Sequence, residues 1–220
     1  FNPAMPWAQS PCVANPTRVS DPAAPFTSIT AGRAHTCVVD GQGLGRCWGA
    51  NGNGQLGSPP ACAVPLCPQP TPTPIQLPYK ARLKSLTARD LSTCAVNDRN
   101  DGLCWGAGIG AVPQVVASPP LPMRLLVSDA EHSCMVLADM SLWCWGSNQY
   151  GQVGNGTTAP STRPHPIRDP TASQLTFGLG YTCAIVNGAG YCWGLNASGQ
   201  LGLGHQTNVN SPAQIPGKLR

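Results

Sequence analysis

Cysteine carries the clearest chemistry in this chain. Of its eleven cysteines, eight fall into four pairs, Cys37/Cys47, Cys94/Cys104, Cys134/Cys144 and Cys183/Cys192, whose members lie nine or ten residues apart. Two chemistries take cysteines in pairs, disulfide bonding and zinc binding. Zinc knuckles space their ligands two to four residues apart, so this spacing favours disulfides. A cysteine on each arm of a hairpin lies ~4.5–5.5 Å from its partner across an antiparallel ladder, within reach of a bond. Each bond closes a small loop and stabilises its hairpin by roughly 2–3 kcal/mol. Cys62 and Cys67 stand together in the Pro-rich insertion SPPACAVPLCPQPTPTP and are read as a fifth pair. Cys12 is then left for an intermolecular bond or a free thiol, unless it takes Cys62 or Cys67 and strands the other. Such a framework belongs outside the reducing cytosol, in an extracellular or cell-surface setting.

The remaining reactive side chains offer less. His35 and His132 occupy one repeat position that Ser92 and Tyr181 fill elsewhere, so they read as structural. His165 and His205 are placed in loops. The close acidic pairs, Asp98/Asp101 and Asp129/Glu131, suit turns better than acid–base work. No Gly-Lys-Ser/Thr loop, nucleophile elbow or metal knuckle occurs, and the Gly-rich run at 52–57 precedes no helix. The sequence therefore predicts no enzyme, no cofactor and no metal. Two patterns accept N-linked sugar, Asn155-Gly-Thr157 and Asn196-Ala-Ser198, and Thr71 and Thr73 alternate with prolines as O-linked sites do.

The elements that hold these residues repeat. Tyr181–Gly204 (YTCAIVNGAGYCWGLNASGQLGLG) recurs at His35–Gly57 and His132–Gly156, with a degraded copy at Ser92–Gly110. In the last copy, Cys183–Val186 and Tyr191–Trp193 are rich in β-branched and aromatic residues, and Asn187-Gly188-Ala189-Gly190 between them tolerates the positive φ of a tight hairpin. A short run precedes each hairpin (28–32, 86–89, 126–129, 175–178). A Pro-bearing run, fit for an edge strand, closes each unit (74–77, 122–125, 166–168, 212–215). The fold class predicted is all-β: a propeller-type array of four disulfide-stapled blades of about four antiparallel strands, with closure within one chain left open. The blades are placed at 28–83, 84–125, 126–172 and 173–220. Trp48, Trp105, Trp145 and Trp193 recur at one position per blade and are assigned to inter-blade cores.

The stretch AHTCVVDGQGLGRCWGANGNGQLG (34–57) resembles the repeat of the regulator-of-chromosome-condensation family: His-Ser/Thr, a hairpin, then Trp-Gly-x-Asn-x-x-Gly-Gln-Leu-Gly. The resemblance covers nearly all of 28–220 and is specific in copies one, three and four. Copy two departs from it, with AGIGAV after Trp105-Gly106. The resemblance implies a propeller, usually closed with seven blades, that binds protein partners on its loop faces. Nuclear members act as exchange factors for the small GTPase Ran on chromatin; the paired cysteines and the absence of basic tails argue against that role here.

Composition narrows the classes further. Charged residues are 10% of the chain and the net charge is +4. No Lys/Arg run exists beyond the loose cluster at Lys80–Lys84, so no nucleic-acid partner is expected. No apolar stretch of 18 residues occurs, so no membrane span is expected. The first residue is Phe1, with no signal peptide in view, which suggests a processed or excerpted form. Residues 1–27 read as an extended Pro-rich arm in which Thr17, Arg18 and Val19 resemble a closing strand. Five closing strands for four hairpins leave one spare, and a spare strand pairs with a neighbour's edge. The function expected is an extracellular structural protein whose copies join head to tail into a fibre or surface layer, with glycans attached. The alternative is a secreted recognition module, a receptor ectodomain fragment or a protein inhibitor, that binds another extracellular protein through its loop faces.

Overall fold

The computed structural model describes residues 25–60, 67–128 and 131–217. Cys12, Thr17, Arg18, Val19 and Cys62, with the inferences resting on them, lie outside these residues. Fifteen strands are described. The first blade is β1 (Phe26–Ala31), β2 (His35–Asp40), β3 (Gly45–Gly49) and β4 (Gln69–Pro74); the second is β5 (Leu83–Arg89), β6 (Ser92–Asn97), β7 (Gly102–Gly106) and β8 (Gly110–Ala117). Each is a four-stranded antiparallel sheet in chain order. The third starts with β9 (Met123–Ser128), β10 (His132–Leu137) and β11 (Ser141–Gly146). Its outer strand is the first part of β12 (Ser161–Gly178), whose second part begins the fourth blade, followed by β13 (Tyr181–Val186), β14 (Ala189–Gly194) and β15 (Val209–Gln214). β5 packs against both β1 and β9, so first strands lie side by side on the inside of the array and fourth strands lie outside.

Hairpin chemistry fixes the register. In the fourth blade Asn187 and Gly188 both take positive φ, 50° and 78°, as the tight turn requires. In the first two blades a side chain shapes the turn: Asp40 Oδ1 accepts from the N–H groups of Gln42 and Leu44, and Asn97 Oδ1 from those of Arg99 and Asp101. Asp101 in turn accepts from Asn97 and Ser118, bonds that hold its carboxyl below the ordinary value. The registers that result set Cys37 opposite Cys47, Cys94 opposite Cys104, Cys134 opposite Cys144 and Cys183 opposite Cys192. All four pairs are disulfides with Cα atoms 4.1 Å apart. Cys67 is also disulfide-bonded, to a partner outside the described residues.

Three expectations change. Copy one was expected to close at 74–77, yet its fourth strand, β4, ends at Pro74, and Ile75 turns into the inter-blade core. Copy two was expected to close at 122–125, yet its fourth strand is β8, and Met123–Leu125 open the third blade instead. Without the Asn-x-x-Gly-Gln-Leu-Gly loop the chain returns through a short turn at 107–109, in which Ile109 N–H bonds Gly106 C=O, and the last half of AGIGAV, Gly110–Val112, starts β8. His165 sits on β12 opposite Cys144 rather than in a loop. The prolines do fall on outer strands: Pro70, Pro72 and Pro74 on β4, Pro113 on β8, Pro164 and Pro166 on β12, and Pro212 on β15. A fourth strand pairs on one side only, so the missing N–H costs nothing on its free edge.

The cores lie between blades. One joins Val39, Leu56 and Ile75 of the first blade to Leu83, Leu86, Leu103 and Trp105 of the second. The next joins Val96 and Ala117 to Met123, Leu126, Met135 and Trp145, and the third joins Val136, Val153 and Ile167 to Phe177, Ala184, Val186 and Trp193. Each blade thus has a trailing face and a leading face, and at each of the three joints the trailing face of one blade packs on the leading face of the next.

The glycine of each Trp-Gly pair marks where a second strand begins against it. Gly106 has φ 107°, and a Cβ there meets Leu91 O at 2.4 Å, whereas Gly188 has φ 78° with open space around it. Gly188→Ala is expected to cost about 1 kcal/mol from backbone strain alone, and Gly106→Ala at least about 2 kcal/mol more. Urea denaturation of the two variants tests this; equal losses contradict it.

Candidate functional site

The loops after Trp48-Gly49, Trp145-Gly146 and Trp193-Gly194 are each built by their own motif. In the first blade Asn51 Oδ1 accepts from Leu56 N–H, Asn51 Nδ2 donates to Ser58 O, and Gln55 Oε1 accepts from Asn53 N–H. The same bonds recur from Asn148 and Gln152 to Val153, Thr157, Ala159 and Tyr150. They recur again from Asn196 and Gln200 to Leu201, His205, Thr207 and Ser198. The loop's Leu56 or Val153 is thereby driven into the inter-blade core, fully buried.

This folding presents one backbone carbonyl to the next blade. Gln55 O accepts from Thr93 Oγ1 at 2.8 Å and from Trp105 Nε1 at 3.0 Å, and Gln152 O accepts from Thr182 Oγ1 at 2.8 Å and Trp193 Nε1 at 2.9 Å. The threonines also meet a histidine of the preceding blade, His35 Nε2 with Thr93 and His132 Nε2 with Thr182, both at 2.8 Å. A hydroxyl has one proton, and it goes to the glutamine carbonyl. The imidazole must therefore donate from Nε2. His132 also stacks on Phe177 of the fourth blade, ring centroids 4.1 Å apart. Burial pushes His35 down from 6.5 to about 4, against the opposing influence of Asp90.

The joint between the second and third blades is different because copy two lacks both histidine and glutamine. Ser92 Oγ donates to Ser128 O at 3.3 Å, and Ser128 and Ser133 hydroxyls meet at 2.7 Å. At the outer edge of this joint a groove of about 400 Å³ opens, lined by Pro119, Leu121, Met135, Trp143 and Pro164 among others.

The four described blades make three joints, so among the described residues one leading and one trailing face pack against no blade. On the first blade Ile29 is 70% exposed, where its register equivalents Leu86 and Leu126 are 5% and 1% exposed. Thr36 and Trp48, equivalents of Thr93 and Trp105, are only half-buried. On the fourth blade Ile185, Gln200 and Ile215 are half-buried, whereas their equivalents Val136, Gln152 and Ile167 are buried. A shallow groove of about 220 Å³ runs along this trailing face past Cys183, Ile185, Tyr191 and Ile215.

Trp105, Trp145 and Trp193 lie in inter-blade cores, while Trp48 stands on the free leading face. The reading of Asn196 as a sugar acceptor needs correction. Its side chain is fully buried and its Nδ2 is bonded to two carbonyls, so a glycan at that nitrogen and this loop exclude each other. Asn155 differs: it is half-buried, and its oxygen takes the bonds from Asn148 and Thr157. Thr71 is exposed on β4, and Thr73 beside it is half-buried. Missed from sequence were the Gln55 and Gln152 carbonyls and Ile29. The available signal was that His and Gln-Leu/Val-Gly occur together in copies one and three and are both missing from copy two. Among the described residues no cluster of three or more His, Cys, Asp or Glu could hold a metal, and no helix is long and apolar enough to cross a membrane.

Two outcomes follow from the joints. Thr182→Val removes a donor to Gln152 O and the acceptor of His132, and is expected to cost about 1–3 kcal/mol. Thr36→Val, on the free face, should stay within about 0.5 kcal/mol. Similar losses in chemical denaturation contradict the joint. His35 is neutral when folded and takes a proton near pH 6.5 when unfolded, so its contribution is complete above that pH. It is lost as pH falls from 6.5 through about 4, by up to roughly 3 kcal/mol, and the slope should shrink in His35→Gln.

Comparison with known proteins agrees with this geometry. Models of the Regulator of chromosome condensation (RCC1) repeat match residues 26–55, 141–185 and 187–220. The ultraviolet-B receptor UVR8 of Arabidopsis thaliana is 30% identical over 203 residues, covering 85% of this chain and 45% of the receptor. Prp20p of Saccharomyces cerevisiae, solved with a study of its binding to Gsp1p and histones, superposes with a TM-score of 0.79 at 19% identity, over 90% of this chain and 52% of that one. The ectodomain of the Physcomitrella patens receptor kinase CR4 superposes with a TM-score of 0.56 at 19% identity, over 84% of this chain and 46% of that one. The chain spans about half the length of each of these three. The repeated Trp-Gly loop, the joints it builds and these matches together place the chain in the RCC1-repeat family of β-propellers.

Proposed function

We propose that the chain is a non-catalytic interaction protein of an oxidising, extracytosolic compartment whose copies dock end to end, trailing face on leading face, into a fibre or surface layer. The observation that carries this reading is the pair of spare faces. Ile29, Thr36 and Trp48 match the kind of surface that Ile185, Gln200 and Ile215 form; Ile29 is exposed, and Trp48, Ile185 and Ile215 are half-buried where their equivalents inside the array are buried. A contact between two different faces of one molecule is heterologous and continues into rings or filaments. The four hairpin disulfides support the compartment, as does fold-level likeness to a receptor ectodomain. The titratable groups with displaced pKa values, His35, Asp101 and Asp139, serve a joint and two turns, which supports a non-enzymatic role. In this reading Thr17, Arg18 and Val19 add a strand to a neighbour's outer edge, Cys12 bonds between copies, and Asn155, Thr71 and Thr73 carry sugars on the periphery.

A second reading is a secreted recognition module that seats a protein segment against the second and third blades. Its support is the groove beside Trp143 and the protein-binding behaviour of Prp20p, a protein of the same fold. Sedimentation of Ile29→Glu and Ile185→Glu variants separates the two. Under end-to-end docking the native chain forms large assemblies, each variant alone stays monomeric at both disabled contacts, and an equimolar mixture gives dimers through the one intact face of each. Deleting residues 1–27 should abolish the larger assemblies. A native chain that stays at 22.8 kDa at every concentration overturns docking and leaves the recognition module.

A further inference from the structure

We propose that the outer edge of β8 and the groove beside it receive an extended segment of a partner protein as a fifth strand of the second blade, with an apolar side chain of that segment against Trp143 and a basic one on Asp139. The inference rests on the second reading above and deepens it by naming how the segment is held. The second and third blades each pack between two others, so the site owes nothing to the first or last face of the array.

A fourth strand is the rim of its blade, and every second residue of it turns its backbone groups outward. Ile75 N–H bonds Gly45 O and Ile215 N–H bonds Gly190 O, so these residues face their third strands, and Pro74 and Gln214 before them face out. Pro74 lies opposite Arg46; its equivalents in register are Val115 opposite Leu103, Pro166 opposite Trp143 and Gln214 opposite Tyr191. Proline removes the outward donor from the first and third blades, a common way to keep an edge from pairing. Of the two residues that keep a donor, Val115 is the one beside the groove between two blades, and its side chain is 50% exposed. A second extended backbone suits such an edge, because it returns a donor and an acceptor at strand spacing.

The groove sets the side chains. Val116, the extra residue where the β7–β8 register slips, packs toward the third blade and begins one wall. Across from it stand Met135 and Trp143. Trp143 Nε1 donates to Ser141 Oγ at 3.1 Å, and Ser141 Oγ donates to Asp139 Oδ1 at 2.6 Å, so the indole's polar edge is occupied and its apolar face is left for a ligand. Asp139 is the one charged group among the described residues that line the groove, and the Ser141 bonds hold its exposed carboxyl below the ordinary value. Charge complementarity asks for lysine or arginine at that end, and the apolar walls ask for an aliphatic or aromatic side chain. Both must leave the same face of the added strand, so they stand an even number of residues apart.

The probe is a phage-displayed library of random peptides, panned on the native chain, with the selected sequences then made as synthetic peptides. They should carry a basic and an apolar residue at even spacing. Binding should weaken at least about tenfold in Trp143→Ala, and about threefold in Asp139→Asn, the second difference vanishing at about 1 M salt. Val115→Pro, which copies the proline of the first and third blades, should weaken it about fivefold or more. Methylating the peptide's backbone nitrogens one at a time gives a readout independent of that variant's folding: losses should alternate, because every second N–H faces β8. Peptides that need Trp143 but show no alternation and tolerate Val115→Pro overturn strand addition and leave the second reading standing. Indifference to Asp139→Asn overturns the choice of a basic residue. Peptides indifferent to Trp143→Ala, or a panning that selects none, overturn the second reading and this inference with it.

Discussion

The backbone carbonyl of one glutamine per loop is the point on which the arrangement turns. A blade of four short strands has two apolar faces and cannot bury either alone, so its stability is a property of its contacts with neighbours. Apolar packing holds faces together but does not fix their angle. Gln55 O and Gln152 O do: each takes two hydrogen bonds, from a threonine and a tryptophan of the next blade, in a dry setting where an unmade bond is costly. The loop's internal bonds aim the carbonyl, and the histidine behind the threonine selects the direction of its proton.

The second joint shows what happens when that device is missing. With Ser92 in place of histidine and a strand in place of the loop, the second and third blades rely on Leu126, Met135 and Trp145 packing with serine contacts beneath. The outer groove opens at this joint. The disulfides belong to a different level of organisation: each ties one hairpin internally and none of the four links one blade to another. They stabilise the parts, while the carbonyl joints set their relation.

Much of this was legible because repetition converts a weak local signal into a strong one. Cys37 and Cys47 alone suggest a pair; four such pairs, each nine or ten residues apart, specify a hairpin register. The Trp-Gly tryptophans were assignable to cores for the same reason. Asn196 misled because the sugar-acceptor pattern is three residues long, and the repeat independently requires asparagine there to staple its loop. The closing strand of copy two misled because its boundary depends on the absence of a loop, and the Pro-bearing run at 122–125 resembled the strands that end the other copies.

By itself the sequence determined the all-β class, the number of blades, the hairpins and their disulfides, since each of these rests on contacts within some ten residues or on a repeated pattern. Tertiary structure decided which faces meet. His35 finds Thr93 across 58 residues, and Ile29 is left exposed while Leu86 is buried in the equivalent place. Nothing local distinguishes those two apolar residues. What separates them among the described residues is that Leu86 has the first blade packed against it, and position within an assembly of blades is a property that no single repeat encodes.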